Sequence, residues 1–320
     1  MKSSLFLLLA AFHSDAFTLN RCASRASTTS LYAADGPPPY DKFQATLREA
    51  EQVGDGSFML HIDTEDVVEY EPGHVLALEM KTPQDVDGDQ GNSKAQKDAE
   101  ANGGWMRGPY TVSRSTDKSI DILVKVVGEK SKQFSIAKSG IPIQFGGKFK
   151  VPILEGIDTD TTKRVVLIST GVGAGPCIGA IEKALEQESS PPIDLIASYR
   201  TEEEIVYKEH LDVLQKNHAH KFSWKAIITS DQGRISATVD SLRALTDSKF
   251  GAGLEDTHYH LIGNGQMVSE FKAGLQKAGV KDDKVTMEMY FNHKVEVDAD
   301  TVSRIADAVV LDAAAIPQRV

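Results

Sequence analysis

The stretch 164–177, RVVLISTGVGAGPC, limits most strongly what this chain can fold into. Residues 165–168 are apolar and mostly β-branched, which predicts a fully buried strand. Three glycines follow at a spacing of two, and Pro176 then precedes a segment with apolar residues at helical spacing. Pro176 suits a first helical turn because its missing N–H would have no intrahelical partner there. A strand, a glycine loop and a helix N-terminus can hold a phosphate, although an ordinary tight βα turn has the same pattern.

After residue 164, predicted strands alternate with predicted helices. This rhythm predicts a parallel, doubly wound sheet in an α/β nucleotide-binding domain over 158–294. The strands are expected at 165–169, 193–198, 222–228, 258–262 and 285–290, and the helices near 177–188, 203–217, 236–245 and 266–278.

The preceding part of the chain has many short strands with turn signals and little helix, which predicts a small antiparallel β-barrel domain over 35–157. Residues 75–80 alternate between two faces, as a strand does. Near its end, the predicted strands 141–145 and 149–153 flank a Gly146-Gly147 turn. The segment 83–104 contains one valine and no other large apolar residue, so we expect a flexible surface insertion there.

The composition narrows the class of partner. The chain has 320 residues, is 41% hydrophobic and 25% charged, and resembles an ordinary globular protein in these proportions. Its net charge of −11 argues against a nucleic-acid backbone as partner. No apolar run reaches the length of a bilayer-spanning helix, so no transmembrane segment is expected in the mature chain.

The first 34 residues have the pattern of targeting signals. Lys2 precedes an apolar run over 5–12, and residues 17–34 hold two arginines, several Ser and Thr, and no acid. This signal-plus-transit arrangement, with Phe17 opening the second part, resembles the bipartite plastid presequences of algae with complex plastids, such as diatoms. We therefore predict a plastid (chloroplast) location, with the secretory pathway as the alternative. Without residues 1–34 the one cysteine is Cys177, so no internal disulfide is expected.

The stretch 107–111, RGPYT, carries the first of several family resemblances. It resembles the Arg-x-Tyr-Ser/Thr flavin motif of the ferredoxin–NADP reductase superfamily, in which a FAD-binding β-barrel precedes an NAD(P)-binding domain. The resemblance implies that Tyr110 stacks on the isoalloxazine ring, Thr111 reaches flavin N5 and Arg107 holds the FAD pyrophosphate. An aromatic ring suits a flat cofactor, and a hydroxyl can bond a nitrogen that changes protonation. Arg107 lies one residue further from the tyrosine than in the family, which makes Arg114 a substitute candidate.

Two more stretches of the barrel half resemble FAD-binding elements of the same family. Gly128 and Ser131 match a Gly-x-x-Ser pattern at a short helix under the FAD phosphates, where Ser131 would be a good N-cap. Gly146-Gly147-Lys148 resembles a Gly-Pro-x-Gly turn that has lost its proline, and it implies a cofactor contact at Gly147. The alternatives are an ordinary helix cap and an ordinary turn.

The stretch 170–176, TGVGAGP, resembles the Thr-Gly-x-Gly-x-Ala-Pro loop that binds the pyridine nucleotide in this family. Gly175 stands where alanine is usual, a change that would leave room for a phosphate. The cofactor contacts that the resemblance implies are Thr170, Gly171, Gly173, Gly175 and Pro176.

Two later stretches would complete the site. Residues 262–267, IGNGQM, resemble the family's Cys-Gly-x-x-x-Met segment, with Ile262 in place of the cysteine that many members put beside the nicotinamide. Residues 285–291, VTMEMYF, resemble the closing strand, whose acid and aromatic side chain lie near the flavin. The alternatives are a turn into a helix and a strand with ordinary packing. The implied residues are Gly263, Asn264 and Met267 for the nucleotide, Glu288 for a proton, and Tyr290 or Phe291 for the second flavin face.

The choice of nucleotide is predicted from Ser230, Asp231 and Arg234. In NADP-using relatives an arginine follows the matching serine and binds the 2′-phosphate, whereas Asp231 would repel a phosphate and suit a ribose hydroxyl. Arg234 is near enough in sequence to reverse that preference. We expect NADPH use with tolerance of NADH.

The sequence therefore predicts an NAD(P)H-dependent, ferredoxin–NADP reductase-like flavin oxidoreductase that moves a hydride between NAD(P)H and FAD. The electrons would pass onward to a protein or small-molecule acceptor. The alternative is a catalytically weak or regulatory flavin- and nucleotide-binding module of the same fold. A ferredoxin-type carrier would need a basic face, and the barrel lysines that could form one are Lys118, Lys125, Lys130, Lys132, Lys138, Lys148 and Lys150.

Two regions remain less defined. The segment 295–320 is predicted to be a C-terminal extension. His218 and His220, and likewise His258 and His260, place imidazoles at strand spacing. No acid or cysteine cluster completes either pair, so no metal is expected.

Overall fold

The computed structural model describes residues 40–81 and 99–290, except 102, 236 and 248. Two β-sheets organise this part of the chain: a closed antiparallel barrel of six strands and a parallel sheet of five strands. This confirms the predicted fold class. The predictions for 1–34, for 83–98 of the insertion, for Phe291 and for 295–320 lie outside the described residues, and the plastid location stays a prediction. Among the described residues, no helix is both long and apolar enough to cross a membrane.

The barrel closes because alternate residues of its strands point into one apolar core, which includes Leu60, Leu78, Val112, Ile122 and Phe145. The strands follow one another around the barrel in the order β1-β2-β5-β4-β3-β6. Their bounds are Lys42–Gly54 (β1), Ser57–Thr64 (β2), Val75–Lys81 (β3), Trp105–Thr116 (β4), Ser119–Lys125 (β5) and Pro142–Gly146 (β6), and the helix Glu129–Ser135 (α1) lies between β5 and β6.

The structure confirms the predicted strand 141–145, which is β6, and the turn at Gly147, whereas the predicted strand 149–153 is wrong. Strand β6 pairs with β1 and β3, which closes the barrel, and residues 149–153 form no strand. Gly147 turns the chain with a φ of 78°, and its Cα lies against the Phe149 ring, where a Cβ would come within 2.4 Å of the ring. The chain then leaves the barrel, and Ile153 packs into the core below the parallel sheet.

The second sheet has the parallel, alternating architecture that the sequence predicts. Its strand order is β11-β10-β7-β8-β9, and the first strand after the linker, β7, is buried along nearly its whole length. The strands are Arg164–Thr170 (β7), Ile193–Tyr199 (β8), Phe222–Ile228 (β9), Thr257–Asn264 (β10) and Val285–Tyr290 (β11). The helices are Ala174–Leu185 (α2), Lys208–Asn217 (α3), Thr229–Gln232 (α4), Val239–Thr246 (α5) and Gly265–Lys277 (α6), with 3-10 turns at Gly171–Gly173, Glu202–Glu204 and Asp282–Lys284.

One predicted helix, 203–217, is interrupted. Its first part is the 3-10 turn Glu202–Glu204, and α3 begins only at Lys208. Between them Val206 is fully buried, and Tyr207 has a left-handed φ of 51°. Burial of the apolar residues between the two turns outweighs the local helical pattern.

The barrel and the parallel sheet meet where helix α2 lies on strand β4. Gly175 and Gly179 face the strand, and a Cβ on Gly179 would lie 1.8 Å from the carbonyl oxygen of Ser113. One turn further along, Arg114 of β4 donates two hydrogen bonds of 2.6 and 2.7 Å to Glu182 of α2. The predicted domain boundary at 157/158 falls in the connection 147–163, which has neither helix nor strand.

We expect Gly179→Ala to lower the free energy of unfolding by about 2 kcal/mol, because overpacking against the Ser113 carbonyl must displace backbone. The sign is informative, since Gly→Ala on an exposed helix face stabilises by about 1 kcal/mol. Urea unfolding measures the change. Lys183→Ala, on the exposed face of the same helix, is the matched control, with an expected change below about 1 kcal/mol. A stabilised Gly179→Ala variant would contradict this packing.

Candidate functional site

The three predicted catalytic residues meet where strand β4 approaches strand β11. The Thr111 hydroxyl donates to Glu288 Oε1 at 2.5 Å, and the Tyr290 hydroxyl donates to Thr111 Oγ1 at 3.3 Å. Thr111 and Glu288 are 8% and 5% exposed, so this contact is largely shielded from water. Glu288 and Tyr290 follow Thr111 by 177 and 179 positions in the sequence, yet the three side chains form one polar cluster at the junction of the two sheets.

Burial controls the protonation of this cluster. Loss of solvent raises the pKa of Glu288, while the Lys150 charge and the Thr111 hydrogen bond partly offset that rise. Burial also raises the pKa of Tyr290, and the Glu288 charge adds to that effect. At the same place Cys177 is fully buried, and burial with the Glu288 charge raises the pKa of its thiol. Burial thus shifts both the acid and the thiol toward their neutral forms.

Lys150 is a neighbour of this cluster that sequence reasoning placed on a solvent-facing basic surface. Its ammonium donates to the Met287 carbonyl oxygen at 3.1 Å, and burial lowers its pKa. Because residues 149–153 were expected to form a barrel strand, the prediction did not place Lys150 beside β11. The signal that could have located it is the Gly147 turn, which carries the chain out of the barrel.

Tyr110 precedes Thr111 in β4, so its half-buried ring lies on the other face of the strand, against the barrel core. Its ring meets Phe134 of helix α1 edge-on, with ring centroids 5.3 Å apart. The ring also folds back over Gly108, where a Cβ would lie 3.0 Å from Tyr110 Cε2. An arginine at position 108, the usual spacing of the motif, would displace the ring from this place.

The Arg107 guanidinium does not join Tyr110. In strand β4 the two residues lie on opposite faces, because they are three positions apart. Arg107 instead lies 3.3 Å from the buried carboxylate of Glu79 and donates to the Tyr40 hydroxyl. The substitute candidate Arg114 is committed to Glu182 and lies over the Tyr207 ring at 4.8 Å. Both arginines therefore have acidic partners within the protein.

The short helix α1 begins at the predicted Gly-x-x-Ser pattern, but Ser131 is not its N-cap. Gly128 is the N-cap, and Ser131 is the third helical residue, whose Oγ accepts from the backbone N–H groups of Val127 and Gly128 at 2.9 and 3.1 Å. The Lys130 ammonium donates to the Arg107 carbonyl at 2.6 Å, which holds the start of this helix beside β4. A Cβ at Gly128 would meet no atom within 4 Å, so this glycine borders open space.

The glycines of the loop after β7 serve three different purposes. Gly171 has a φ of 53° and faces open space. Gly173 approaches strand β10, where a Cβ would lie 2.9 Å from the Ile262 carbonyl oxygen. Gly175 approaches the barrel, where a Cβ would lie 2.5 Å from Ser113 Oγ. The room expected for a phosphate at Gly175 is thus filled by the barrel. Pro176 is the third residue of α2 and so lies in its first turn, as predicted.

The loops after β7 and β10 are joined at the carboxyl edge of the sheet. Thr170 Oγ1 accepts from the Asn264 backbone N–H at 2.8 Å, and Asn264 Oδ1 accepts from the N–H groups of Gln266 and Met267 at 3.0 and 3.2 Å. Gly263 has a φ of 127°, and a Cβ there would lie 2.1 Å from Thr170 Oγ1. Ligands of open α/β sheets bind outside this edge, which suits the predicted nucleotide contacts.

The three residues predicted to select the nucleotide lie on the same edge and are exposed. Ser230 donates to Asp231 Oδ1 at 2.8 Å, and Arg234 Nη1 donates to Gln266 Oε1 at 3.3 Å. Arg234 therefore reaches from the loop after β9 to the first turn of α6, whose N-cap is Asn264. A cation at the carboxyl edge favours an anionic ligand there.

The histidine pair His258 and His260 shares one face of β10, as its spacing predicts. Both rings contact the Thr286 hydroxyl rather than an acid. Within the described ranges, no three His, Cys, Asp or Glu side chains group as metal ligands would.

We expect Glu288→Gln to change how stability depends on pH. The ordinary pKa of a glutamate carboxyl is 4.5, and burial raises it here. Such a carboxyl stabilises the fold fully at pH below 4.5 and loses that contribution as the pH rises through the pKa of the folded state. The variant should match wild type near pH 4 and exceed it near pH 8, by about 1.4 kcal/mol for each unit of pKa elevation. Urea unfolding between these pH values measures the difference. Glu270→Gln, on the exposed face of α6, is the control, and an identical profile for both variants would contradict the raised pKa.

Comparison with known proteins finds one matching family model and one enzyme with a similar segment. Residues 167–272 match the family model of the oxidoreductase NAD-binding domain. The chain is also 27% identical over 123 residues to the NADH nitrate reductase of Volvox carteri, in a match covering 32% of this chain and 14% of that enzyme.

Two solved structures share the whole two-domain arrangement. The ferredoxin NADP+ reductase of Neisseria gonorrhoeae, with bound FAD and NADP, is 17% identical with a TM-score of 0.61, over 78% of this chain and 99% of that chain. The flavohemoglobin of Malassezia yamatoensis, with bound FAD and heme, is 20% identical with a TM-score of 0.61, over 82% of this chain and 63% of that chain. The chain thus has the barrel-and-parallel-sheet fold found in these two proteins, and its second domain matches the oxidoreductase NAD-binding family.

Proposed function

We propose that this protein is a flavoprotein oxidoreductase that transfers a hydride between NAD(P)H and FAD and passes electrons on to a protein or small-molecule acceptor. The observation that carries the proposal is the cluster of Thr111, Glu288 and Tyr290, which unites the two sheets at one shielded point. The match of 167–272 to the oxidoreductase NAD-binding domain supports the nucleotide half of the reaction.

The residues of the barrel edge fit a flavin. Tyr110 presents a half-buried ring against Phe134 at the start of the barrel, and Gly128 leaves open space at the start of α1. The pyrophosphate would lie near this helix start, where Lys130 and Lys132 supply positive charge. Arg107 would contribute from the Glu79 pair rather than as an isolated cation. FAD would supply the two-electron chemistry, while Thr111 and Glu288 hold or move a proton beside it.

The carboxyl edge of the parallel sheet fits the nucleotide. Gly171 borders open space after β7, and Thr170 fixes this loop against the loop after β10. Tyr290 lies beside Thr111, where it would cover the flavin and yield its place to the nicotinamide. The protein's work is then mainly positioning, since a hydride transfer between aligned rings needs no general base.

A second candidate function is a catalytically weak or regulatory flavin-binding module. Two observations favour it. Ile262 replaces the family's cysteine, and the Thr111 hydroxyl, which would reach flavin N5, is already hydrogen-bonded to Glu288 and Tyr290. Reduction of bound flavin by a nucleotide separates the two functions, because a non-catalytic module would stay yellow.

The electron acceptor follows less directly from the surface. Of the seven barrel lysines, Lys125 pairs with Glu204 at 2.8 Å and Lys150 is turned inward to Met287. A ferredoxin-type carrier would therefore rely on the remaining lysines, and a small-molecule acceptor is an equal candidate.

We expect the purified protein to be yellow and to be bleached anaerobically by NADPH or NADH. Tyr110→Ala should lower FAD retention by about tenfold or more, because an aromatic contact worth about 1.5 kcal/mol is lost. Flavin released on dilution, followed by fluorescence, measures retention. Tyr199→Phe, a buried tyrosine of the other domain, is the control. Unchanged retention and an unchanged visible spectrum in Tyr110→Ala would remove this ring from the site.

We expect Arg234→Ala to lower kcat/KM for NADPH about tenfold and to leave NADH nearly unchanged, because Arg234 is the exposed cation that would bind the 2′-phosphate. Asp231→Arg should shift the preference further to NADPH by removing a repelling charge. Steady-state kinetics with both nucleotides measure the ratio, with Arg243→Ala on helix α5 as a control. An unchanged NADPH/NADH ratio in Arg234→Ala would assign the phosphate to another residue.

A further inference from the structure

The segment between strand β8 and helix α3 lies against the barrel. The Asp55 N–H, at the tip of the β1–β2 hairpin, donates to the Glu203 carbonyl oxygen at 2.7 Å. A Cβ on Gly54, at the same tip, would lie 3.1 Å from the Glu204 carbonyl oxygen, so the two backbones are in direct contact. The segment that interrupts the predicted helix 203–217 is therefore a contact between the barrel and the parallel-sheet domain.

The Glu204 carboxylate bonds both sides of this contact through one oxygen. Lys125 Nζ, at the end of barrel strand β5, lies 2.8 Å from Glu204 Oε2, and the Arg200 backbone N–H donates to the same oxygen at 3.3 Å. The Lys125 and Glu204 side chains are 29% and 17% exposed, so water screens their attraction less than in a fully exposed pair. A hydrogen bond with an ionised partner is about twice as strong as a neutral one. The barrel thus restrains the Arg200 backbone through Glu204.

The Arg200 backbone continues this connection to the residues predicted to select the nucleotide. Its carbonyl oxygen accepts from the Ser230 N–H at 3.1 Å, beyond the last register pair of β8 and β9. Ser230 belongs to the short helix α4, and the first N–H groups of a helix have no partner inside it, so Arg200 supplies one. The Ser230 hydroxyl then donates to Asp231 Oδ1 at 2.8 Å. A hydrogen bond or ion pair therefore joins each step from Lys125 to Asp231.

We propose that Lys125 and Glu204 are positioning residues that hold helix α4 in place, so that the barrel sets the affinity of the parallel-sheet domain for the 2′-phosphate of NADPH. The inference rests on the proposed function, which puts the nucleotide at this edge of the sheet. Both side chains act through the Arg200 backbone. Because Ser230 and Asp231 are exposed, a restraint from behind lowers the cost of ordering them when a ligand arrives.

The charge of Glu204 separates this proposal from a simple effect of the electric field. If the carboxylate acted on the nucleotide through its field alone, its removal would tighten the binding of a phosphate, because like charges repel. As a positioning residue, Glu204 has the opposite effect, and its removal weakens binding. Removal of Lys125 weakens binding in both cases, so the sign of the Glu204 effect decides.

Glu204→Met tests the proposal, because it keeps an unbranched side chain and removes the shared oxygen. We expect KM for NADPH to rise about tenfold with kcat within about twofold of wild type, since binding rather than hydride transfer is impaired. Lys125→Met should act in the same direction, and the double variant should exceed the stronger single variant by less than about twofold, because both changes break one connection. Lys125→Arg should restore wild-type KM, since a guanidinium also donates to a carboxylate. Glu202→Met, which removes the same charge from an exposed position of the same turn, is the matched control and should match wild type.

Two further measurements need no hydride transfer. Calorimetry with 2′,5′-ADP, which carries the 2′-phosphate, should show binding weakened about tenfold in Glu204→Met and unchanged in Glu202→Met. NMR of the nucleotide-free protein in D₂O should show exchange of the Ser230 N–H accelerated about tenfold in Glu204→Met and Lys125→Met, because its bond to Arg200 opens more readily. Glu204→Gln removes the charge and keeps an acceptor, so it replaces Glu204→Met if that variant does not fold, with a smaller loss of affinity expected.

The outcomes are distinct. Equal or tighter binding of 2′,5′-ADP in the Glu204 variant, Ser230 exchange that stays at the wild-type rate, or an equal loss of affinity in Glu202→Met would each overturn the positioning role. A wild-type protein that does not bind 2′,5′-ADP would overturn it as well. A protein that binds 2′,5′-ADP but is bleached by neither nucleotide would instead overturn the proposed function, and the calorimetry and exchange measurements would still decide the roles of Lys125 and Glu204.

Discussion

The close approach of helix α2 to strand β4 is the contact on which the candidate site depends. Gly179 allows the backbone of α2 to pack directly on the Ser113 carbonyl, and any side chain there would hold the two sheets apart. Thr111 and Ser113 share the outer face of β4. The same approach therefore brings Thr111 within 2.5 Å of Glu288 on the far edge of the parallel sheet. The Arg114–Glu182 pair sets the orientation of the helix on the strand, because two parallel hydrogen bonds fix the angle between them.

The site formed there contains groups that lower stability rather than raise it. A carboxyl that is 5% exposed has lost its hydration, and a single threonine hydroxyl with a nearby lysine replaces only part of it. Natural folds retain such groups mainly where chemistry needs them. The surrounding apolar core, which includes Cys177 and Ile262, excludes water and so keeps the acid's pKa high.

The sequence predicts the fold better than it predicts the side-chain partners. Strand and helix periodicity identifies β7 to β11 and most of the barrel, because burial of alternate residues is a local pattern. The meeting of Thr111, Glu288 and Tyr290 follows from family resemblance, since residues so far apart share no local signal. The wrong predictions are at positions where contacts with residues distant in sequence determine the local structure.

Three of these positions show the physical reason. Gly147 turns the chain away from the barrel because it packs on Phe149, which a Gly-Gly hairpin pattern does not reveal. Gly175 lacks a side chain because of Ser113, which lies in the other domain. Lys150 looks like a solvated surface residue in the sequence, yet its chain position beside Met287 turns it inward. In each case the deciding partner is distant in sequence.

The Thr111 hydroxyl explains how one small side chain can serve both sheets. It accepts from Tyr290 and donates to Glu288, so its single hydrogen points at the acid while the acid is ionised. When Glu288 takes up a proton, the acid can donate in return, and the Thr111 hydrogen becomes free to turn toward a ligand at the barrel edge. Burial raises the pKa of Glu288 and so brings that exchange closer to physiological pH. The direction of one hydrogen bond would then report the protonation of the acid to a ligand at the barrel edge, while the Tyr290 contact holds the other side of the same hydroxyl.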